Sequence, residues 1–269
     1  MCTTCGCSDE GHVTITDPVT GAHTHLGLEV AQAHDHGVGL AHHHDHETPR
    51  ATRTIQLEQQ VLAKNDRLAE RNRGWLAARG VVALNLMSSP GAGKTTLLER
   101  TIRDLGGEVP IEVIEGDQET LIDGDRIRAT GAQVVQINTG AGCHLDAEML
   151  AGGLRTLDPP PGSVLLVENV GNLVCPALFD LGEQGRVVII SVTEGTDKPL
   201  KYPHMFRAAD LMIVNKIDLA PYVDFDVAQC TAWARRINPE IASAQLSATR
   251  GDGLDSWYGW LREKTSRSQ

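Results

Sequence analysis

Apolar residues along this chain follow two different periods. Between Thr52 and about Arg79, Ile55, Leu62, Ala69 and Leu76 recur every seven residues, with Val61, Leu68 and Trp75 beside them. This is the stripe of an amphipathic helix packed on a core, and Gly80 supplies its stop signal. Beyond it the pattern breaks into short apolar runs that predict strands over 81–87, 111–115, 133–137, 163–168, 187–192, 211–215 and 241–246. Helical segments fall between most of them, for example 95–105, 144–154 and 228–237. Such alternation predicts an α/β fold, a mainly parallel sheet with helices on both faces. Ligands of such sheets gather outside the carboxyl ends of the strands.

Composition divides the 269 residues into unlike parts. Residues 1–49 contain no Lys or Arg, yet hold nine of the eleven His and three of the six Cys. All 24 basic residues lie beyond them. The reading is therefore a Cys/His-rich tail over 1–49, a helix over 50–80 and a globular domain over 81–269. A net charge of −11 argues against a nucleic-acid or anionic-membrane binder. No apolar run reaches the roughly 20 residues of a spanning helix. The opening residues lack the basic and apolar regions of a signal peptide, which predicts a cytoplasmic protein.

The tail opens Cys2-Thr-Thr-Cys5-Gly-Cys7. Three thiolates at this spacing can converge on one soft or borderline metal ion, Ni(II) and Cu(II) ranking high in affinity. The alternatives are a disulfide or free thiols, and disulfides are rare in a cytosolic chain. His12, His23, His25, His34, His36, His42, His43, His44 and His46 follow among Gly, Ala, Asp and Thr. That composition buries too little apolar surface to fold alone, so the tail is expected to be disordered. Its imidazoles suit nickel, zinc or copper without selecting one.

The first strand runs into Ser88-Ser-Pro-Gly91-Ala92-Gly93-Lys94-Thr95-Thr96. Gly91 and Gly93 let backbone N–H groups around Ala92 approach phosphate oxygens at a helix N-terminus. Lys94 would reach the β- and γ-phosphates, and the Thr95 hydroxyl would ligate Mg²⁺. The pattern's first glycine is Ser88 here. Asn215-Lys216-Ile-Asp218 ends another apolar strand, and the Asp218 carboxylate can accept both the N1–H and the amine of guanine, a donor pair adenine lacks. Ser247-Ala248-Thr-Arg-Gly resembles the loop that supports guanine O6 in GTPases. Together these motifs predict GTP and GDP as ligands. Asp117, in Glu115-Gly-Asp-Gln, and Glu168, in Glu168-Asn-Val-Gly171, are strand-end carboxylates placed to hold Mg²⁺, and the Gly171 amide is placed to sense the γ-phosphate.

Cys143-His144 is expected to begin a helix, and Cys175 lies seven residues past Glu168. The three could hold a soft metal ion on a segment that responds to nucleotide. The competing reading is small buried thiols, which is the preferred one for isolated Cys230.

Cys2-x-x-Cys5-x-Cys7, the His-rich tether, the phosphate loop, Gly116-Asp-Gln, Gly142-Cys-His, Glu168-Asn-Val-Gly-Asn-Leu-Val-Cys-Pro and Asn215-Lys-Ile-Asp together resemble the hydrogenase maturation GTPases of the HypB family. The resemblance runs from Met1 through the Ser247 loop. It implies a GTPase of the signal-recognition/MinD/BioD class, with slow hydrolysis and a GTP-dependent homodimer. It also implies delivery of Ni(II) to the [NiFe]-hydrogenase large subunit together with a HypA-type zinc protein. By the same resemblance Cys2, Cys5 and Cys7 form a tight nickel site, and Cys143, His144 and Cys175 a weaker nickel or zinc site. The rival readings are a urease-type nickel accessory GTPase and a metal store built on the nine-histidine tail.

Overall fold

The computed structural model describes residues 13–16, 23–26, 50–117, 122–140 and 142–267. Cys2, Cys5, Cys7 and every tail histidine except His23 and His25 lie outside them. After a short hairpin, β1 (Val13–Thr16) and β2 (His23–Leu26), comes the long helix α1 (Arg50–Arg79). The domain then runs β3 (Val82–Ser88), α2 (Lys94–Leu105), β4 (Ile111–Asp117), α3 (Ile122–Arg128), β5 (Val134–Asn138), α4 (Ala147–Leu157) and β6 (Val164–Glu168). It closes with β7 (Gly185–Ser191), α5 (Lys198–Lys201), α6 (Pro203–Ala208), β8 (Leu211–Asn215), α7 (Val227–Ile237), β9 (Ala242–Gln245) and α8 (Leu254–Ser266).

Seven strands pair in parallel in the order β5-β4-β6-β3-β7-β8-β9, each matching a strand expected from the apolar runs. From β3 the chain first builds outward through β4 and β5, then returns and builds the other way through β7 to β9. The carboxyl end of β3 is thus the switch point at which such sheets bind ligands. Strands covered on both faces need apolar residues at nearly every position, and Val82–Ser88 is buried throughout. Leu97, Leu98 and Ile102 of α2, with Ile127 of α3 and Trp257 of α8, cover one face. Leu76 of α1 and Leu150 and Leu154 of α4 cover the other, continued by Phe206 of α6 and Cys230 of α7. Cys230 is the packed thiol expected of it. No described helix is long and apolar enough to cross a membrane.

The stripe of α1 is partly polar. Ala69 and Leu76 are fully buried, and Asn65 and Asn72 on the same face are buried nearly as deeply; the side chain of Ile55 lies outside the described ones. These asparagines persist because each is paired. Asn65 donates to Asp180 O at 2.7 Å and accepts from Ala147 N at 2.9 Å. Asn72 donates to the carbonyls of Ala147 and Leu181.

Two expectations need correction. The helix expected over 144–154 begins at Ala147, because the Asp146 side chain accepts from Met149 N and caps it there. Cys143 and His144 are therefore loop residues. Within the segment expected to be disordered, β1 pairs antiparallel with β2 and with β5. The open edge of β5 offers unpaired backbone groups, and Val13-Thr-Ile-Thr16 is a β-branched run suited to extend it.

Candidate functional site

The phosphate loop fills the turn from β3 into α2. Gly91 and Gly93 take φ of +74° and +96°, a region that side chains avoid. A Cβ on Gly93 would lie 2.6 Å from Asn215 Nδ2. Lys94 Nζ donates to Ser88 Oγ at 2.8 Å, so the residue that departs from the glycine pattern serves to hold the lysine. Thr95 Oγ1 donates to Glu168 Oε1 at 2.8 Å. Thr96 takes a hydrogen bond from Arg126, at 3.2 Å.

Asn215 and Lys216 brace this loop from β8. Asn215 Nδ2 donates to Ala92 O at 2.9 Å, and Lys216 Nζ to Gly91 O at 2.7 Å. Asn215 Oδ1 accepts from Lys216 N and from Ala248 N, joining the Ser247–Ala248 loop to the same point. Asp218, half-buried, follows three residues after Asn215. Gly171 approaches from β6, where an added Cβ would sit 3.2 Å from three atoms of Pro90.

Gly91, Gly93, Lys94, Thr95, Thr96, Gly171 and Lys216 line a cleft of about 490 Å³ with Asp117, Asp123, Arg126 and Glu168, and Asp218, Ser247 and Ala248 lie outside its lining. A groove of similar size, 520 Å³, lies between the end of α2 and the start of β4, at the other end of the sheet, and has none of them. Burial pushes Glu168 up to about 7, against the pull of Lys94 and Thr95. Burial, then the neighbouring Glu168 and Asp117, push Glu115 up to about 9. Burial also lowers Lys94, and the surrounding carboxylates oppose that. Glu168 Oε2 is buried without a hydrogen bond. An orphaned carboxylate oxygen beside a threonine hydroxyl and Asp117 is a hard-oxygen set that fits Mg²⁺.

Cys143, His144 and Cys175 meet at the same end of the sheet. Their ligand atoms lie within 4.8 Å of one another. Cys143 Sγ is 2.7 Å from Cys175 Sγ and 3.6 Å from His144 Nδ1. Burial lowers the His144 pKa, favouring the neutral imidazole that binds metals, and its ring stacks on Phe179 with centroids 3.9 Å apart. Two sulfurs and an imidazole nitrogen suit nickel or zinc.

Sequence reasoning missed Asp123, Arg126 and Asn169. Arg126 is held by Glu99 and Asp123 at 3.1 Å each, and its one signal was a basic residue shortly after the Asp117 loop. Asn169 is buried between the two sites, with partners far away in sequence.

Residues 82–245 match the family model "CobW/HypB/UreG, nucleotide-binding domain". The hydrogenase maturation factor HypB of Escherichia coli strain K12 is 58% identical over 209 residues, covering 78% of this chain and 72% of that protein. A crystal structure of hydrogenase maturation factor HypB from Archaeoglobus fulgidus aligns with a TM-score of 0.71 at 45% identity, over 76% of this chain and 99% of that one. The Helicobacter pylori HypB structure in complex with nickel aligns with the same TM-score at 38% identity, over 76% and 96%. With the phosphate loop, the Asn215–Asp218 brace and the parallel sheet already in place, the chain belongs to the hydrogenase maturation factor HypB family of P-loop GTPases.

Proposed function

We propose that the protein is a GTP-hydrolysing nickel metallochaperone that delivers Ni(II) for maturation of [NiFe]-hydrogenase, with its nucleotide state coupled to metal binding and dimerisation. The observation that carries this reading is the course of residues 168–175. Glu168 bonds Thr95, Gly171 packs on Pro90 and Cys175 meets Cys143. One short segment thus touches both the phosphate loop and the metal ligands.

GTP lies with its phosphates on the amides of Gly91, Ala92 and Gly93, and Lys94 reaches the β- and γ-oxygens. Asp218 takes the guanine edge, while Ser247 and Ala248 close around its carbonyl. Thr95, Asp117 and Glu168 would hold Mg²⁺, which would supply positive charge beside the phosphate oxygens. Asp117, Glu168 and the Gly171 amide position the attacking water against the γ-phosphate. When hydrolysis releases that phosphate, Glu168–Gly171 relaxes, as nucleotide switches do, and the geometry at Cys143, His144 and Cys175 changes with it. That site takes Ni(II) or Zn²⁺, and Cys2, Cys5 and Cys7 form the loading site for nickel. The partners are the hydrogenase large subunit, a HypA-type zinc protein and, with GTP bound, a second copy of the chain, all in the cytoplasm.

The Helicobacter pylori relative is named hydrogenase/urease maturation factor HypB, which favours urease as a second acceptor. The first test is single-turnover GTP hydrolysis by the full-length protein. Measurable turnover that falls by roughly 10²-fold or more in Lys94→Ala and in Asp117→Asn is expected. Turnover indifferent to both changes would refute the assignment.

A further inference from the structure

Asn169 follows Glu168 directly and is 1% exposed. Its Oδ1 accepts two backbone N–H groups, from Val170 at 3.0 Å and from Leu145 at 3.0 Å. The first belongs to the segment that faces the phosphate loop, and the second follows His144. Its Nδ2 donates to Asn85 Oδ1 at 3.1 Å, and its own N–H donates to Leu86 O, so both its backbone and its side chain are anchored to β3. Three residues on, Asn172 donates to Cys143 O at 3.4 Å and accepts from Val174 N at 2.8 Å, just before Cys175.

An amide is the side chain that meets these demands. It offers one acceptor to two N–H groups and still donates to Asn85. A carboxylate has no donor, and a serine hydroxyl is too short to span both directions. Leaving a buried N–H unpaired is costly, so Leu145 follows Asn169 when Asn169 moves. Because Val170 shares the same oxygen, a displacement of Glu168–Gly171 reaches Leu145 through one atom.

We infer that Asn169 is the positioning residue that transmits nucleotide state to the metal loop, with Asn172 as its second tether at Cys143. Movement of the β6 end toward the γ-phosphate draws Leu145 and the adjoining His144 with it, and so alters the spacing of the imidazole from the two thiolates. The inference rests on the proposed coupling of nucleotide and metal, and the experiment separates the two.

The full-length chain carrying Cys2→Ser, Cys5→Ser and Cys7→Ser is titrated with Ni(II) in GDP and in a non-hydrolysable GTP analogue with Mg²⁺. Thiolate-to-nickel charge-transfer absorption is the readout, since tail histidines do not produce it. The parent is expected to differ in affinity by about 5-fold or more between nucleotides, with a shift of the absorption band. In Asn169→Ala the affinity ratio is expected within about twofold of one and the band shift absent. A parent-like ratio in Asn169→Ala overturns the inference and leaves the coupling intact. A parent without any nucleotide dependence overturns the coupling itself, and the inference falls with it. Should Asn169→Ala fail to fold by circular dichroism, the half-buried Asn172→Ala decides: a reduced ratio supports the relay and a parent-like ratio refutes it.

Discussion

The Thr95 hydroxyl donates to Glu168 Oε1 at 2.8 Å, so the last residue of β6 bears directly on the first turn of α2. Burial holds Glu168 at about 7, well above an ordinary carboxylate, despite the nearby Lys94. Mg²⁺ requires the ionised form. Above neutrality the carboxylate is free to ligate, and below it the ion must displace a proton. The Mg²⁺-dependent part of GDP affinity should therefore be flat above pH 7 and fall by about tenfold per unit below it. Titration with a fluorescent GDP across that range, with and without Mg²⁺, checks this. Glu168→Gln should lose both the metal dependence and the pH slope, whereas a flat profile in the parent contradicts the assignment of Glu168.

Gly171 lies against Pro90, where any Cβ would come within 3.2 Å of the phosphate loop. Gly171→Ala should hold the segment away from the γ-phosphate. Overpacking of this kind costs about 1–3 kcal/mol, and the γ-phosphate is the group assigned to the Gly171 amide. GTP affinity should fall by roughly tenfold or more with GDP affinity little changed. Equal losses for both nucleotides would mean that Gly171 serves loop packing alone.

Asp218 follows the Asn215 brace and is assigned to the guanine edge. Asp218→Asn replaces an acceptor of two hydrogen bonds by a group that donates one. GTP turnover at fixed nucleotide should fall by about 10²-fold or more, and xanthosine triphosphate, which carries a carbonyl where guanine has its amine, should restore it. Failure of the xanthine nucleotide to rescue would remove Asp218 from base recognition.

His144 stacks on Phe179 at 3.9 Å between centroids, a contact that fixes the ring plane for a metal ligand. Phe179→Ala should weaken nickel binding at the Cys143/His144/Cys175 site by about 10-fold. Thiolate charge-transfer absorption in a chain lacking the three tail cysteines reads this. Unchanged affinity would mean that the two thiolates hold the ion without an oriented imidazole.

Much of this was legible in the chain because it rests on local signals. The seven parallel strands announced themselves as apolar runs, since strands covered on both faces admit few polar residues. The phosphate loop and Asn215–Asp218 were legible because backbone approach and base recognition demand particular residues at fixed spacing. The start of α4 was misjudged, although Asp146 and its bond to Met149 N are a local cap signal, because the Cys143-His144 pair drew the helix too early. Asn65 and Asn72 were hidden by their polarity. They occupy the buried face of α1, and only distant backbone groups of Asp180, Ala147 and Leu181 explain them. Asn169 was illegible for the same reason, since its partners Asn85 and Leu145 lie 84 and 24 residues away.

The most direct test of the coupling is a competitive nickel titration of the full-length protein, first with GDP and then with a non-hydrolysable GTP analogue, with Cys143→Ala and Cys175→Ala assigning the internal site. The account predicts that internal affinity changes by about 5-fold or more with nucleotide, that the change vanishes in both variants, and that the Cys2/Cys5/Cys7 site holds its affinity throughout. Internal affinity identical in the two nucleotide states would contradict it, and would confine the action of GTP to partner docking or dimerisation.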